Sequence, residues 1–146
     1  MADRATTLSG MWQKVTLGAT SKVLGVSKYE ISGVTRRTVD VSEFGVEVDV
    51  FEFGGADGGT ITLSDVAYDP TDPQQETFVN NCKNGVKFIN SVTSGPRFWI
   101  NSTSYQTIGT SGTLLMTSAG QVSADRNGSA KTKFDIKVSG GFMYLI

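Results

Sequence analysis

The chain has no histidine among its 146 residues. That absence removes the commonest general base and the commonest transition-metal ligand, and with them any nucleophile of the Ser-His or Cys-His kind. Ser-Lys pairs remain conceivable, but no spacing singles one out. The single cysteine, Cys82, allows no internal disulfide, so a reducing compartment is the simpler expectation. No apolar run approaches the roughly 20 residues of a membrane span. No apolar stretch follows Met1-Ala2-Asp3-Arg4, so no secretion signal is expected. The glycosylation-type triplets at Asn101 and Asn127 are accordingly read as chance.

Charge is also scarce, at 18%, and the apolar fraction of 38% reaches the globular average only when the 17 glycines are added. Glycine, serine and threonine in such quantity suit short strands and turns better than long helices. Eight Phe, four Tyr and two Trp leave enough to bury that disorder is excluded. One domain spanning residues 1–146 is expected, with residues 1–10 as a loose N-terminal arm.

The net charge of −1 hides a strong segregation. Residues 40–76 carry ten acids, from Asp40 to Glu76, and no Lys or Arg, whereas residues 1–39 sum to +4 and 77–146 to +5. Such a chain can offer one acidic surface to the basic surface of another copy. The plainer alternative is a chance clustering of solvated faces.

Period-2 alternation predicts about ten short strands. Val15 and Leu17, then Tyr29 and Ile31, then Val34 to Val41 mark the first. Val46 to Phe53 has the clearest alternation, with three valines on one face and Glu47, Asp49 and Phe51 on the other. Two acids on one strand face require water or a basic partner. Gly54-Gly55-Ala56-Asp57-Gly58-Gly59 reads as a loop tip, and Thr60 to Tyr68 as the returning strand of a long-loop hairpin. Further strands are expected in Val86–Val92, Arg97–Tyr105, Thr113–Ser118, Thr132–Ser139 and Phe142–Ile146, with a turn at Asp125-Arg126-Asn127-Gly128.

One helix is well signalled. Asp72 is the N-cap, Pro73 the first helical residue, and Gln75 falls at the third position of a capping box. Glu76 suits the first turn, Lys83 the last, and Asn84-Gly85 the stop. Phe78, Val79 and Cys82 form a stripe that should pack on a sheet, which makes Cys82 a small core residue.

Three chemical readings can be weighed. The Gly54–Gly59 segment lacks the lysine of a phosphate loop and joins strands rather than opening a helix. Asp65, Asp69 and Asp72 do not match a calcium loop, and Asp72 is better used as a cap. Glu47 and Asp49 could act as a glycosidase pair, but neighbouring acids on one strand face are more often exposed or interfacial. No catalytic residue, metal or cofactor is therefore expected. Near-neutral charge and the lack of basic runs beyond Arg36-Arg37 argue against tight nucleic-acid binding.

Three features together resemble the tail tube proteins of long-tailed phages. They are the order of strands, acidic hairpin, capped helix and further strands; the segment Phe53-Gly54-Gly55 to Thr60-Ile61-Thr62-Leu63, followed by Asp69-Pro70 and Asp72-Pro73-Gln74-Gln75; and the ending Phe134-Asp135-Ile136-Lys137-Val138-Ser139-Gly140-Gly141. The resemblance covers residues 11–146 and rests on turn, cap and strand signals, with no chemical signature.

The resemblance implies a mainly-β antiparallel sandwich or barrel with one flanking helix. It implies hexameric rings stacked into a hollow tube, an architecture shared with the type VI secretion tube. The lumen would pass DNA during ejection without specific binding. The expected place is the virion tail, assembled in the host cytoplasm, with tape-measure and tail terminator proteins as partners. Glu47, Asp49 and Glu52 become candidates for lumen or inter-ring charge, with Glu52 pointing opposite to the other two. Asp40, Glu43, Phe44, Gly54, Gly55 and Asp57 become candidates for an inter-subunit loop. A monomeric carbohydrate-binding or adhesin-type sandwich is the alternative, with Trp12, Trp99 and Tyr105 as its stacking platform.

Overall fold

A computed structural model describes residues 14–19, 21–45, 47–89, 95–101 and 103–145. The loose arm expected at residues 1–10, Trp12, and parts of the strands expected at 86–92 and 142–146 lie outside the described residues. The rest is mainly β: twelve strands and one helix.

The strands are β1 (Lys14–Leu17), β2 (Ser21–Lys22), β3 (Tyr29–Ile31), β4 (Thr35–Asp40), β5 (Phe51–Asp57) and β6 (Thr60–Ala67), then β7 (Phe88–Ile89), β8 (Pro96–Trp99), β9 (Tyr105–Ile108), β10 (Thr113–Ser123), β11 (Lys131–Ser139) and β12 (Met143–Leu145). Helix α1 (Pro73–Asn84) lies between β6 and β7. All pairings are antiparallel. One sheet runs β12-β9-β8-β1-β2, a second β3-β6-β11-β10-β7, and β4 pairs only with β5.

Alternation builds the core as the pattern demands. Ile61 and Leu63 of β6, Phe134, Ile136 and Val138 of β11, and Leu114 and Met116 of β10 turn inward from the second sheet. Val15, Phe98 and Ile108 join them from the first, in one continuous cluster. Tyr29 ties the sheets together: its ring lies 5.7 Å from that of Phe98, and its hydroxyl donates to the Trp99 carbonyl at 2.6 Å.

The helix is where its signals put it. Asp72 accepts from the Gln74 N–H, Pro73 opens the first turn, and Gly85 closes the last in the left-handed conformation at φ 66°. Phe78 is fully buried, 5.0 Å from Phe134 and 5.7 Å from Phe88, while Val79 and Cys82 pack against the same cluster. Gln75, however, makes no capping box. Its Nε2 donates to the Leu24 and Ala67 carbonyls at 2.8 and 3.0 Å, and its Oε1 accepts from the Asp69 N–H at 3.1 Å. Asp72 also receives the Leu24 N–H. Both side chains therefore fasten the helix start to the body as well as to itself.

Candidate assembly interface

Two strand expectations are overturned in one place. The alternation from Val46 to Phe53 does not form the predicted strand: residues 47–50 are irregular, and the strand begins at Phe51. The Gly54–Gly59 segment is not a loop tip: β5 continues through Asp57, and only Gly58 and Gly59 separate it from β6. Nor does β5 pair with β6. It pairs with β4, while β6 lies between β3 and β11. The hairpin is thus β4–β5, with residues 41–45 and 47–50 in its tip.

Local chemistry explains the shift. The Ser42 side chain, and then the Ser42 N–H that Asp40 accepts, draw the Asp40 pKa below the usual carboxylate value. The Ser42 hydroxyl accepts the Val50 N–H at 2.7 Å, and Val41 donates to the Val50 carbonyl. These bonds close a wide loop that a plain strand through Val50 would forgo. Gly54 and Gly55 face the single residue Arg37 where the ladder register jumps, which makes them a β-bulge. A Cβ on Gly55 would stand 3.1 Å from the Arg37 guanidinium. Their predicted role as loop residues gives way to twisting the arm.

The arm leaves the body at a tight crossing. Gly59 adopts φ +97°, and any Cβ there would collide with the Gly33 carbonyl. A Cβ on Gly58 would sit 2.6 Å from the Gly141 carbonyl. Asp57, also expected in the inter-subunit loop, instead sits at this base. Lys137 Nζ donates to it at 2.6 Å, with the Gly59 N–H at 2.8 Å. The lysine bond, then the backbone one, hold its pKa below the ordinary value.

Beyond the base, none of the described residues covers the arm. Every residue of β4 is exposed, and so is every residue of β5 except Gly54. Val48 is 72% exposed, Phe53 78%, and Phe44 at the tip is wholly in solvent at 109%. Interleaved with these apolar groups are Asp40, Glu43, Glu47, Asp49 and Glu52, with no positive charge between Asp40 and Glu52. Glu47 and Asp49 belong to the loop, so their predicted opposition to Glu52 across a strand does not apply. The acidic block is also not one surface. Asp65, Asp69, Asp72 and Glu76 lie on β6, around the helix start and in its first turn, not on the arm.

Free apolar hairpins have a known cost: two strands alone are marginal in water, and open edges invite pairing.

Comparison with known proteins bears on the fold. No protein-family model and no curated protein matches the sequence. Solved structures do. A chain in the virion of a native gene transfer agent particle superposes with a TM-score of 0.66 at 16% identity, covering 96% of this chain and 99% of that one. A chain in the tail of an empty gene transfer agent particle, refined with C6 symmetry, gives 0.65 at 16% identity, covering 96% and 99%. One in the sheath–tube complex of an extracellular contractile injection system gives 0.65 at 13% identity, covering 98% and 93%. The fold is of the tail-tube type.

Two of the three aromatics considered as a glycan platform, Trp99 and Tyr105, are engaged within the body. Trp99 stacks on Tyr105 at 4.7 Å, donates its indole N–H to Thr16 Oγ1 at 2.9 Å, and lies under the Lys14 ammonium. Arg97 covers Tyr105 at 4.6 Å. Both rings are partners of one another and of the β1–β8–β9 surface.

Proposed function

We propose that the chain is the structural subunit of a tail tube, assembling with itself into hexameric rings that stack around a hollow lumen. The observation that carries this is the uncovered arm. Burying a phenyl or valine side chain is worth roughly 1.5–3 kcal/mol, and the arm holds several such groups in solvent. A stable monomer gains nothing from that exposure; a subunit that docks its arm does.

The C6 symmetry of the structurally similar tail supports a six-membered ring. In this reading the lumen passes DNA without specific binding, tape-measure and terminator proteins are the axial partners, and the product is a virion tail built in the host cytoplasm. Glu43, Glu47, Asp49 and Glu52 all sit on the arm, which favours contact between subunits over lining the lumen as their role. The role is structural, and no residue is assigned to catalysis.

The test is negative-stain electron microscopy of the purified protein over a range of concentration and salt. Rings or tubes with six-fold end views are expected. Particles that remain single at every condition, together with glycan binding on an array, would instead favour the monomeric sandwich module.

A further inference from the structure

The arm needs a receiving surface, and the grooves of the body differ in charge. One, of about 630 Å³, lies at the arm's own base, is lined in part by the arm itself, and contains Asp57. A groove beside β3 contains Glu30, and one beside the helix start contains Asp69 and Glu76. Each holds a carboxylate that would meet an acidic visitor, beside Arg37 and Lys137 in the first and Lys83 in the third.

A fourth groove, of about 360 Å³, is different. It opens between the edge strands β2 and β7, one from each sheet, and the face of α1 that carries Gln74, Thr77 and Asn81. Leu17 and Phe88 line its apolar interior, and the exposed Val86 and Ile89 form an apolar lip. Among its described lining residues the one charged side chain is Lys87. Lys22, which is exposed, follows the lining residue Ser21.

We infer that the arm tip of one copy, with Phe44 as its apolar anchor and Glu43 and Glu47 beside it, docks in the β2–β7–α1 groove of a second copy. Apolar content meets apolar content, acid meets lysine, and the tip meets the outer edges of β2 and β7, which have no strand partner among the described residues. Phe44 does not reach the groove of its own chain, because it is wholly exposed. The contact is therefore head-to-tail, the kind that propagates as a ring or a stack. This inference rests on the self-assembly reading and names the surfaces that carry it.

The test is site-directed disulfide trapping in full-length protein carrying Cys82→Ser. Glu43→Cys combined with Ile89→Cys, which keeps the Phe44 anchor, is oxidised and run on a non-reducing gel, with Glu43→Cys plus Tyr68→Cys as control, since Tyr68 lines the groove at the helix start. The expected result is a ladder of covalent multimers from the first pair and none from the second. Adding Lys87→Glu should slow laddering by about tenfold or more, because like charges then face each other, and Glu47→Lys should restore it. No ladder from the first pair, or equal ladders from both, overturns the docking. Electron microscopy of the same samples separates the two readings. Tubes without the ladder leave the tube subunit standing and remove this interface. A ladder without rings or tubes keeps the interface and removes the tube.

Discussion

The body and the arm are made of similar residues put to opposite use. In the body, Ile61, Leu63, Phe134 and Ile136 alternate with polar neighbours and are at most 1% exposed. In the arm, Val48, Phe51 and Phe53 stand among acids and are exposed. The difference is not composition but company: the body strands have a second sheet and a helix to face, while β4 and β5 have only each other. One alternating pattern thus serves intramolecular folding in one region and, on our reading, intermolecular assembly in the other.

The sharpest way to break that contrast is to truncate one aromatic in each region. Phe134→Ala should destabilise the monomer by about 3–5 kcal/mol, because its ring packs on Phe78 in the core. Phe53→Ser should change monomer stability by less than about 0.5 kcal/mol, since surface changes away from packing rarely do more, yet it should lower the extent of assembly. Urea unfolding and sedimentation measure the two sides. A large stability loss from Phe53→Ser would mean that the arm is part of the body after all.

Next in size is Gln75→Leu. It leaves the Leu24 and Ala67 carbonyls and the Asp69 N–H without this partner, at a cost of about 2 kcal/mol, with the helix start loosening first in hydrogen exchange. If Gln75 were only a capping-box residue on the surface, the loss would be a few tenths of a kcal/mol. Asp72→Ala should cost about 1 kcal/mol as a lost cap, read by thermal unfolding, and more if the Leu24 N–H is stranded with it.

The smallest effect concerns the joint between the two regions. The pKa of Asp57 is lowered in the folded chain, so its contribution is present above the ordinary carboxylate value of about 4 and is lost as pH falls through the lower folded value. Acidification through that window should loosen the Lys137 anchor and raise hydrogen exchange in β4 and β5 while β6 and β11 stay protected. Asp57→Asn should abolish this step. A β4–β5 exchange rate independent of pH in both proteins, after correction for intrinsic chemistry, would show that the glycine crossing alone holds the arm.

Much of the body was legible beforehand. Ile61 and Leu63 announce β6, and Thr132 to Ser139 announces β11, because a buried strand face writes its period into the chain. The candidate interface was legible only as residues. Asp40, Glu43, Phe44, Glu47, Asp49 and Glu52 were all singled out, but their placement on one uncovered hairpin was not, and the receiving groove with Lys87 was missed. Lys87 and Ile89 come from a different part of the chain than Leu17 and Ser21, and no local signal joins them.

By itself the sequence determined the chemistry that is impossible without histidine, the start and end of the helix at Asp72-Pro73 and Gly85, the preponderance of strands, and the concentration of acid between Asp40 and Glu76. These are properties of composition, of caps and of period, which act within a few residues. Only the tertiary structure decided that β5 pairs with β4 and not β6, that Gly54-Gly55 is a bulge and not a tip, and that Gln75 braces the body and not its own cap. The reason is that alternation specifies which side chains share a face but not what that face meets. Pairing is set by contacts between residues far apart in the chain, and by surfaces left over once the best of those contacts are made.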